Sequence, residues 1–448
     1  MAKYSKLEDG TILTVKKSNQ ISKKIKLIAI AAISFVTLGL LCSFFFMKDP
    51  VIKQGYIDNT EHRFNDTIGK YTFMTHMQRY PFDKALEAIK SGNEAEIAGY
   101  RSLILDYLFE FNRQTPSVIP DLSCKKPVFK ATCSEPIFSG KRDSPAKIGL
   151  LIQFGFEVDT LLIILHQYRD LVDKIFILES TRTHFKNTKK PLVWERLKYS
   201  PEFLPFSDMV VHLVVDDAPL AAASDDMWQM ERYQEHQRWS KFVEWNKDTK
   251  YFTDSDLLGF GDADEVPSLN VLTELKNCKF RDEIFVVDVG IWFPMGTIYQ
   301  AFRTDFPVEF TLPYTLGDPT FYTLAGAMKG GVPSRQRGTS AHHILGGMHM
   351  SNYCYLPTIL LKDMTCTECG MFDKDNLQLM KERFFSNDSQ VIQKWQQERC
   401  SVSHWGTRII DVQQLDNNNR QAVSVPWYLE CNKGMFPSWE HLPDSRLL

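Results

Sequence analysis

From Lys147 onward the chain alternates between short, nearly continuous apolar runs and longer mixed segments. Lys147–Gly155 (KIGLLIQFG), Lys174–Ser180 (KIFILES), Met209–Val215 (MVVHLVV), Leu257–Asp262 (LLGFGD) and Glu283–Phe293 (EIFVVDVGIWF) have the length of buried strands. Between them, Val158–Val172, Asp225–Asn246 and a stretch from about Pro267 to Asn277 have helical length and mixed polarity. Strands without polar alternation, separated by helices, predict an α/β fold with a mainly parallel sheet covered on both faces. Ligands of such open sheets bind beyond the carboxyl ends of the strands.

Upstream the pattern differs. Leu27–Met47 is a run of about 21 residues without a charge, enough to cross a bilayer as a helix. Lys16, Lys17, Lys23, Lys24 and Lys26 precede it, while Lys48, Asp49 and Lys53 follow. The lysine excess predicts a cytoplasmic N-terminus and a lumenal remainder. The long basic region, with no small-x-small cleavage site after the run, favours an uncleaved anchor over a signal peptide. The expected organisation is a tail (1–26), a transmembrane signal-anchor (27–47), a lumenal stem (48–145), a catalytic domain (146–415) and an extension (416–448). Within the stem, Phe82–Phe111 is helical in pattern, interrupted at Gly92.

Composition adds little: 44% hydrophobic, 24% charged and a net charge of -3. Without a polybasic footprint, nucleic acid is not an expected partner. Outside the anchor stand Cys124, Cys133, Cys278, Cys354, Cys366, Cys369, Cys400 and Cys431, an even number that suits disulfides in an oxidising lumen without revealing their pairing. Cys366-Thr367-Glu368-Cys369 lacks the second pair a zinc site needs. Asn65 and Asn387 open glycosylation-type triplets, consistent with the secretory route.

The candidate chemistry lies at the end of the fourth apolar run, where Asp262, Asp264 and Glu265 crowd into four positions. Residues two apart on an extended backbone point to one side. Two such carboxylates repel, and a divalent cation removes the penalty. Mg²⁺ or Mn²⁺ suits this donor set, taking carboxylates together with substrate phosphates. The structural alternative is that Asp262 or Asp264 caps the following helix, with Glu265 favoured by its dipole. A calcium-loop register fails for want of the required glycine.

The acid block in its context resembles glycosyltransferase family 17, the β-1,4-mannosyl-glycoprotein 4-β-N-acetylglucosaminyltransferases. Phe156–Leu192 resembles that family's opening block, Phe260–Pro267 (FGDADEVP) its acid block and Gly346–Tyr355 (GGMHMSNYCY) its later Gly-x-His-x-Ser segment. Met348 and Met350 stand where the family usually has Trp and Cys. The resemblance spans about Lys147–Cys369. It implies a GT-A-type nucleotide-sugar-binding fold and inverting transfer of a sugar, GlcNAc from UDP-GlcNAc by analogy, to a glycoprotein N-glycan mannose in the Golgi. It implies Asp264 as a metal ligand, Asp262 on the metal or donor ribose, Glu265 as an orienting group and His349 as a further metal ligand or diphosphate contact. Glu157, Asp159, Glu179, Ser180 and Arg182 fall where the nucleotide-sugar would lie, with Lys189 and Lys190 nearby. For each of these the alternative is structural: Asp159 as a cap, Glu179 as a satisfied buried carboxylate, the basic residues as a solvated face, His349 as packed core. Inversion also needs a carboxylate base, for which Asp288 and Glu309 are candidates. Trp292, Phe293, Tyr314 and Tyr322 either stack on acceptor sugars or fill the core. A non-catalytic glycan-binding protein and a two-metal phosphohydrolase are the rival classes. Retention of both aspartates speaks against the first, and the lack of a histidine near the acid block against the second.

Overall fold

The computed structural model describes residues 81–103, 124–184, 190–216, 227–292, 294–295, 297–304, 314–315, 319–333, 341–350, 360–362, 364, 407–411, 424–432 and 436. All of them belong to one compact unit within Ile68–Leu448. The apolar segment Leu27–Met47, the triplets at Asn65 and Asn387, Lys189, Phe293, Glu309 and the Cys366/Cys369 pair lie outside the described residues. Among those described, no helix is long and apolar enough to cross a membrane.

The elements follow in chain order: α1 (Phe82–Ser91), β1 (Phe138–Lys141), β2 (Ile148–Gln153), α2 (Val158–Tyr168), β3 (Lys174–Ser180), α3 (Val193–Leu197), β4 (Val210–Val215), α4 (Met227–Thr249), β5 (Leu257–Asp262), β6 (Glu265–Pro267), α5 (Leu269–Asn277), β7 (Cys278–Phe280), β8 (Val286–Trp292), β9 (Pro294–Met295), β10 (Thr297–Thr304), β11 (Tyr314–Thr315), β12 (Thr320–Thr323), α6 (Leu324–Lys329), β13 (His343–His349), β14 (Thr407–Asp411) and α7 (Trp427–Cys431). The main sheet has the order β4-β3-β2-β5-β12-β8-β13-β6, with β11 added against β8. β4, β3, β2 and β5 are mutually parallel. β12 runs antiparallel to both β5 and β8, β13 parallel to β8, and β6 antiparallel to β13. This mixed, mostly parallel sheet fits a GT-A-like fold. Two smaller sheets pair β1 with β7, and β10 with both β14 and β9.

The strands form from apolar runs because both sheet faces are covered. Side chains alternate between faces. Leu150, Ile152, Ile175 and Ile177 join one core with Leu161–Leu165 of α2 and Leu272 and Leu275 of α5. Their sequence neighbours Leu151, Phe176 and Leu178 join a second core with Trp239 and Phe242 of α4. Each fully buried side chain of this kind contributes about 1.5–3 kcal/mol. Gly259 in β5 is forced by this packing: an added Cβ would lie 2.7 Å from Phe321 and 2.8 Å from Leu150.

Gly92, left-handed at φ 70°, ends α1 as its C-cap. Phe82, Leu86 and Ile89 of α1 enter the same core as α2. Cys133–Cys278 ties the segment before β1 to β7, and Cys124–Cys431 ties it to α7. Thus the polar, Trp- and Pro-containing C-terminal stretch, which has no clear secondary-structure signal, supplies a helix packed on α2. His166 stacks on Tyr428 with centroids 3.9 Å apart and meets Phe206 edge-on at 4.8 Å. Burial, reinforced by Arg169, lowers the His166 pKa to about 4. A lowered histidine favours the neutral fold, so its stability contribution is complete above about pH 6.5 and is lost as pH falls toward 4. The shift corresponds to at most about 3 kcal/mol. Melting curves should therefore show His166→Phe losing less stability than wild type between pH 6.5 and pH 4.5; parallel losses would refute the assignment.

Candidate functional site

β5, which lies in the middle of the main sheet where its parallel set meets antiparallel β12, ends at Asp262. The turn after it is held from three directions. The Asp262 amide donates to Glu265 Oε2 at 3.0 Å, the Ala263 amide to the Gln153 carbonyl at 3.0 Å, and the Met350 amide to the Asp264 carbonyl. Gly261 is needed because Glu265 folds back over it; an added Cβ would stand 2.9 Å from Glu265 Oε2. Glu265 therefore orients the turn rather than facing solvent, and it is buried. From below, the buried Arg238 of α4 donates to the carbonyls of Gly261 (2.9 Å) and Leu151 (3.2 Å).

The capping alternative does not hold. Pro267 belongs to β6, α5 begins at Leu269, and its N-cap is Ser268, whose Oγ accepts from the Val271 amide. Asp262 and Asp264 take no part. The buried Asp264 carboxylate instead meets the Lys362 ammonium, with Nζ 3.3 Å from Oδ2. Glu157 lies close to this pair. Its carboxyl is held above its ordinary value, first by burial and then by the Asp264 charge, against the lowering pull of two amide hydrogen bonds and of Lys362. Those bonds, from Gly155 and Phe156 at 2.9 Å, pin Glu157 Oε2 at the end of β2.

His349 arrives through a bulge. The β13–β8 register shifts between Leu345 and Met348, at the glycines of the Gly346–Tyr355 motif. Gly346 has φ +144°, and a Cβ on Gly347 would meet Ile291 at 2.5 Å and the Val266 carbonyl at 2.7 Å. Beyond the bulge, His349 sits opposite Glu265 in the β13–β6 ladder, buried. Asp262, Asp264, Glu265, His349 and Glu157 are thus assembled from four elements around one strand end. The ligand atoms of Asp262, Asp264 and His349 nonetheless do not gather within 4.8 Å of one another. Among the described residues the group of three that does is Cys133, Glu274 and Cys278. That group is no metal centre: its sulfurs form the disulfide, and Glu274 accepts from the Thr132 and Cys133 amides.

Three expectations need correction. Glu179, placed by sequence in the donor crevice, is fully buried and caps α3 across space. Its two oxygens accept from the Val193 and Trp194 amides at 2.7 and 2.9 Å, and His212 Nε2 lies 2.9 Å from Oε2. Lys190, read as a solvated charge or a diphosphate contact, stands 3.8 Å from the same carboxylate. Asp288, a base candidate, sits within the sheet accepting from the Thr320 hydroxyl at 2.8 Å, with 1% of its surface exposed. Ser180 Oγ accepts from the Arg182 amide, so these two shape the turn after β3. Trp292 and Tyr322 are core residues, the former bonded through Nε1 to the Ser424 carbonyl.

Asp159 does not cap α2; Glu157 holds the N-cap position and Asp159 lies in the first turn. Its Oδ1 is buried without a hydrogen-bond partner. The helix dipole favours its charge, yet burial prevails and raises its pKa to about 6. A raised carboxyl costs stability as pH climbs from about 4 to 6 and above, by at most about 3 kcal/mol. Asp159→Asn is therefore expected to melt higher than wild type at pH 7.5 and to lose that advantage at pH 4. Equal differences at the two pH values would exclude it.

Sequence reasoning missed Lys362, Arg238 and a side-chain cluster at the end of β2. There Gln153 Nε2, His184 Nε2 and Gln234 Oε1 lie within 2.6–2.9 Å of one another. A charged residue on the apolar face of α4 was a signal for Arg238; nothing marked Lys362, 98 positions from its partner.

An open sheet with acids gathered at the end of a central parallel strand is the setting of a sugar-transferring enzyme, and comparison with known families bears this out: the protein is a glycosyltransferase. The model of glycosyltransferase family 17 matches residues 101–288 of the chain. The match begins in the helical run before β1 and holds both acid blocks, but ends before His349 and Lys362. No curated protein matches the chain.

Proposed function

We propose that this chain is an inverting, metal-dependent glycosyltransferase that moves GlcNAc from UDP-GlcNAc onto a mannose of a glycoprotein N-glycan. The observation that carries this reading is the Asp262-Ala263-Asp264 turn, freed from helix capping by Ser268 and locked by Glu265, Gln153 and Met350 at the end of β5. Its chemistry fits a divalent cation. Asp264 and Glu157 crowd each other's charge, and the Lys362 ammonium acts on both. Asp264 and Asp262, with His349 beside them, would hold Mn²⁺ or Mg²⁺, which supplies charge neutralisation to the departing diphosphate.

The residues themselves do the rest. Glu265 and Arg238 fix the turn so that Asp262 is presented without reorganisation, the condition under which electrostatic stabilisation is most effective. Glu157 and the Gln153–Gln234–His184 cluster line the neighbouring strand end, where hydrogen-bonding side chains can orient a nucleotide. Attack by an acceptor hydroxyl from the opposite side gives inversion in one step, with no covalent enzyme intermediate. A lumenal catalytic unit on a single-pass Golgi anchor at Leu27–Met47 completes the proposal, and the two disulfides accord with that compartment.

The test is a screen of the purified full-length chain against a panel of nucleotide sugars and N-glycan acceptors, with Mn²⁺ or with EDTA. Transfer from UDP-GlcNAc that EDTA abolishes is expected. Absence of transfer from every donor would leave a non-catalytic glycan-binding protein.

A further inference from the structure

We propose that Lys362 and the divalent cation are alternative partners of the same Asp264 oxygen, so that Lys362 sets how tightly the enzyme holds its metal before the nucleotide arrives. This inference rests on the metal-dependent reading above.

Asp264 and Lys362 are both buried, with 5% and 7% of their surfaces exposed, and stand 3.3 Å apart. Two opposite charges removed from water in that way are costly to separate unless another charge takes the vacated place. Glu157, of the same sign as Asp264, adds to the need for a cation at this point. Asp262 is less buried than Asp264. A metal entering the turn therefore meets a half-buried carboxylate at Asp262 and, at Asp264, a buried one already bound to an ammonium. Gaining the second requires the lysine to move.

Lysine suits such an exchange better than arginine. Its ammonium is a point charge on a flexible four-carbon stem with no fixed fork to hold the carboxylate bidentately. Once displaced, that ammonium remains beside the site as a cation for the donor's diphosphate, whose two phosphates supply the negative charge that it loses from Asp264. Metal and nucleotide would then bind with positive coupling, because the nucleotide stabilises the arrangement in which Lys362 has left Asp264.

The experiment measures Mn²⁺ binding to the full-length chain by calorimetry or by the electron paramagnetic resonance of free Mn²⁺, without and with UDP. Wild type should bind weakly alone and more tightly with UDP. Lys362→Met should bind Mn²⁺ alone at least about tenfold more tightly than wild type and lose most of the UDP enhancement, while Lys362→Arg keeps the weak affinity. Lys362→Gln, which retains polarity without charge, serves in place of methionine should that variant not fold, and the same gain is expected. A charge-removing variant that folds but binds Mn²⁺ no more tightly than wild type overturns the proposal, including the case in which neither binds. Failure of the proposed activity is separate: it is read from sugar transfer by wild type, which the binding measurement does not use.

Discussion

Asp264→Asn is expected to reduce sugar transfer by at least about 10³-fold in a chain that still folds, with a melting temperature lowered by the loss of the buried Lys362 ion pair. Removing one preorganised electrostatic group from an active site costs on the order of 10²–10³ in turnover, and here the group also anchors the proposed cation. The fold should tolerate the change because the turn is not built on the carboxylate. Its backbone is fixed by Glu265, Gln153 and Met350, and asparagine retains a carbonyl that can still accept from Lys362. Far-ultraviolet circular dichroism and a thermal melt establish the fold; initial rates establish the loss. Wild-type turnover from a folded Asp264→Asn protein would remove this aspartate from the site. A collapsed melting temperature would make it a structural residue instead.

Glu179→Ala carries the largest expected effect on stability. Glu179 links three elements: it ends β3, receives the first two amides of α3 and meets His212 of β4. Alanine leaves those amides buried without acceptors, at about 1–3 kcal/mol each. A total near 3 kcal/mol, the lower end for breaking a buried charged network, corresponds to a fall in melting temperature of roughly 5–10 °C. Glu179→Gln, which keeps one acceptor oxygen, should fall by less. The KM for the donor in the folded fraction should stay close to wild type. A stable Glu179→Ala protein with a raised donor KM would return this residue to the nucleotide crevice, where its position at a strand end had suggested it belongs.

The contrast between these two acids shows what the chain discloses in one dimension. Glu179 lies at the end of one apolar strand and Asp264 two residues past the end of another, and sequence alone places both at the crevice. β5 is followed by a turn with its own serine cap ready at Ser268, so Asp264 is left for other work. β3 is followed by a helix whose N-cap, Leu192, has no side-chain oxygen to offer. Glu179, 14 residues before Val193, fills that gap through space.

The apolar runs, by themselves, determined the α/β alternation and the gathering of acids at the end of β5, because burial on both faces leaves strands nearly free of polar residues. The glycines of the acid and Gly346–Tyr355 motifs were legible as motifs, though not as the close approach to Glu265 and the bulge that they serve. Only the tertiary structure decided which acids are consumed by helix amides, that Arg238 and Lys362 converge on the turn, and that a C-terminal helix closes over α2. Those facts depend on residues brought together from distant positions, and side-chain periodicity reports which face a residue occupies but not what waits there.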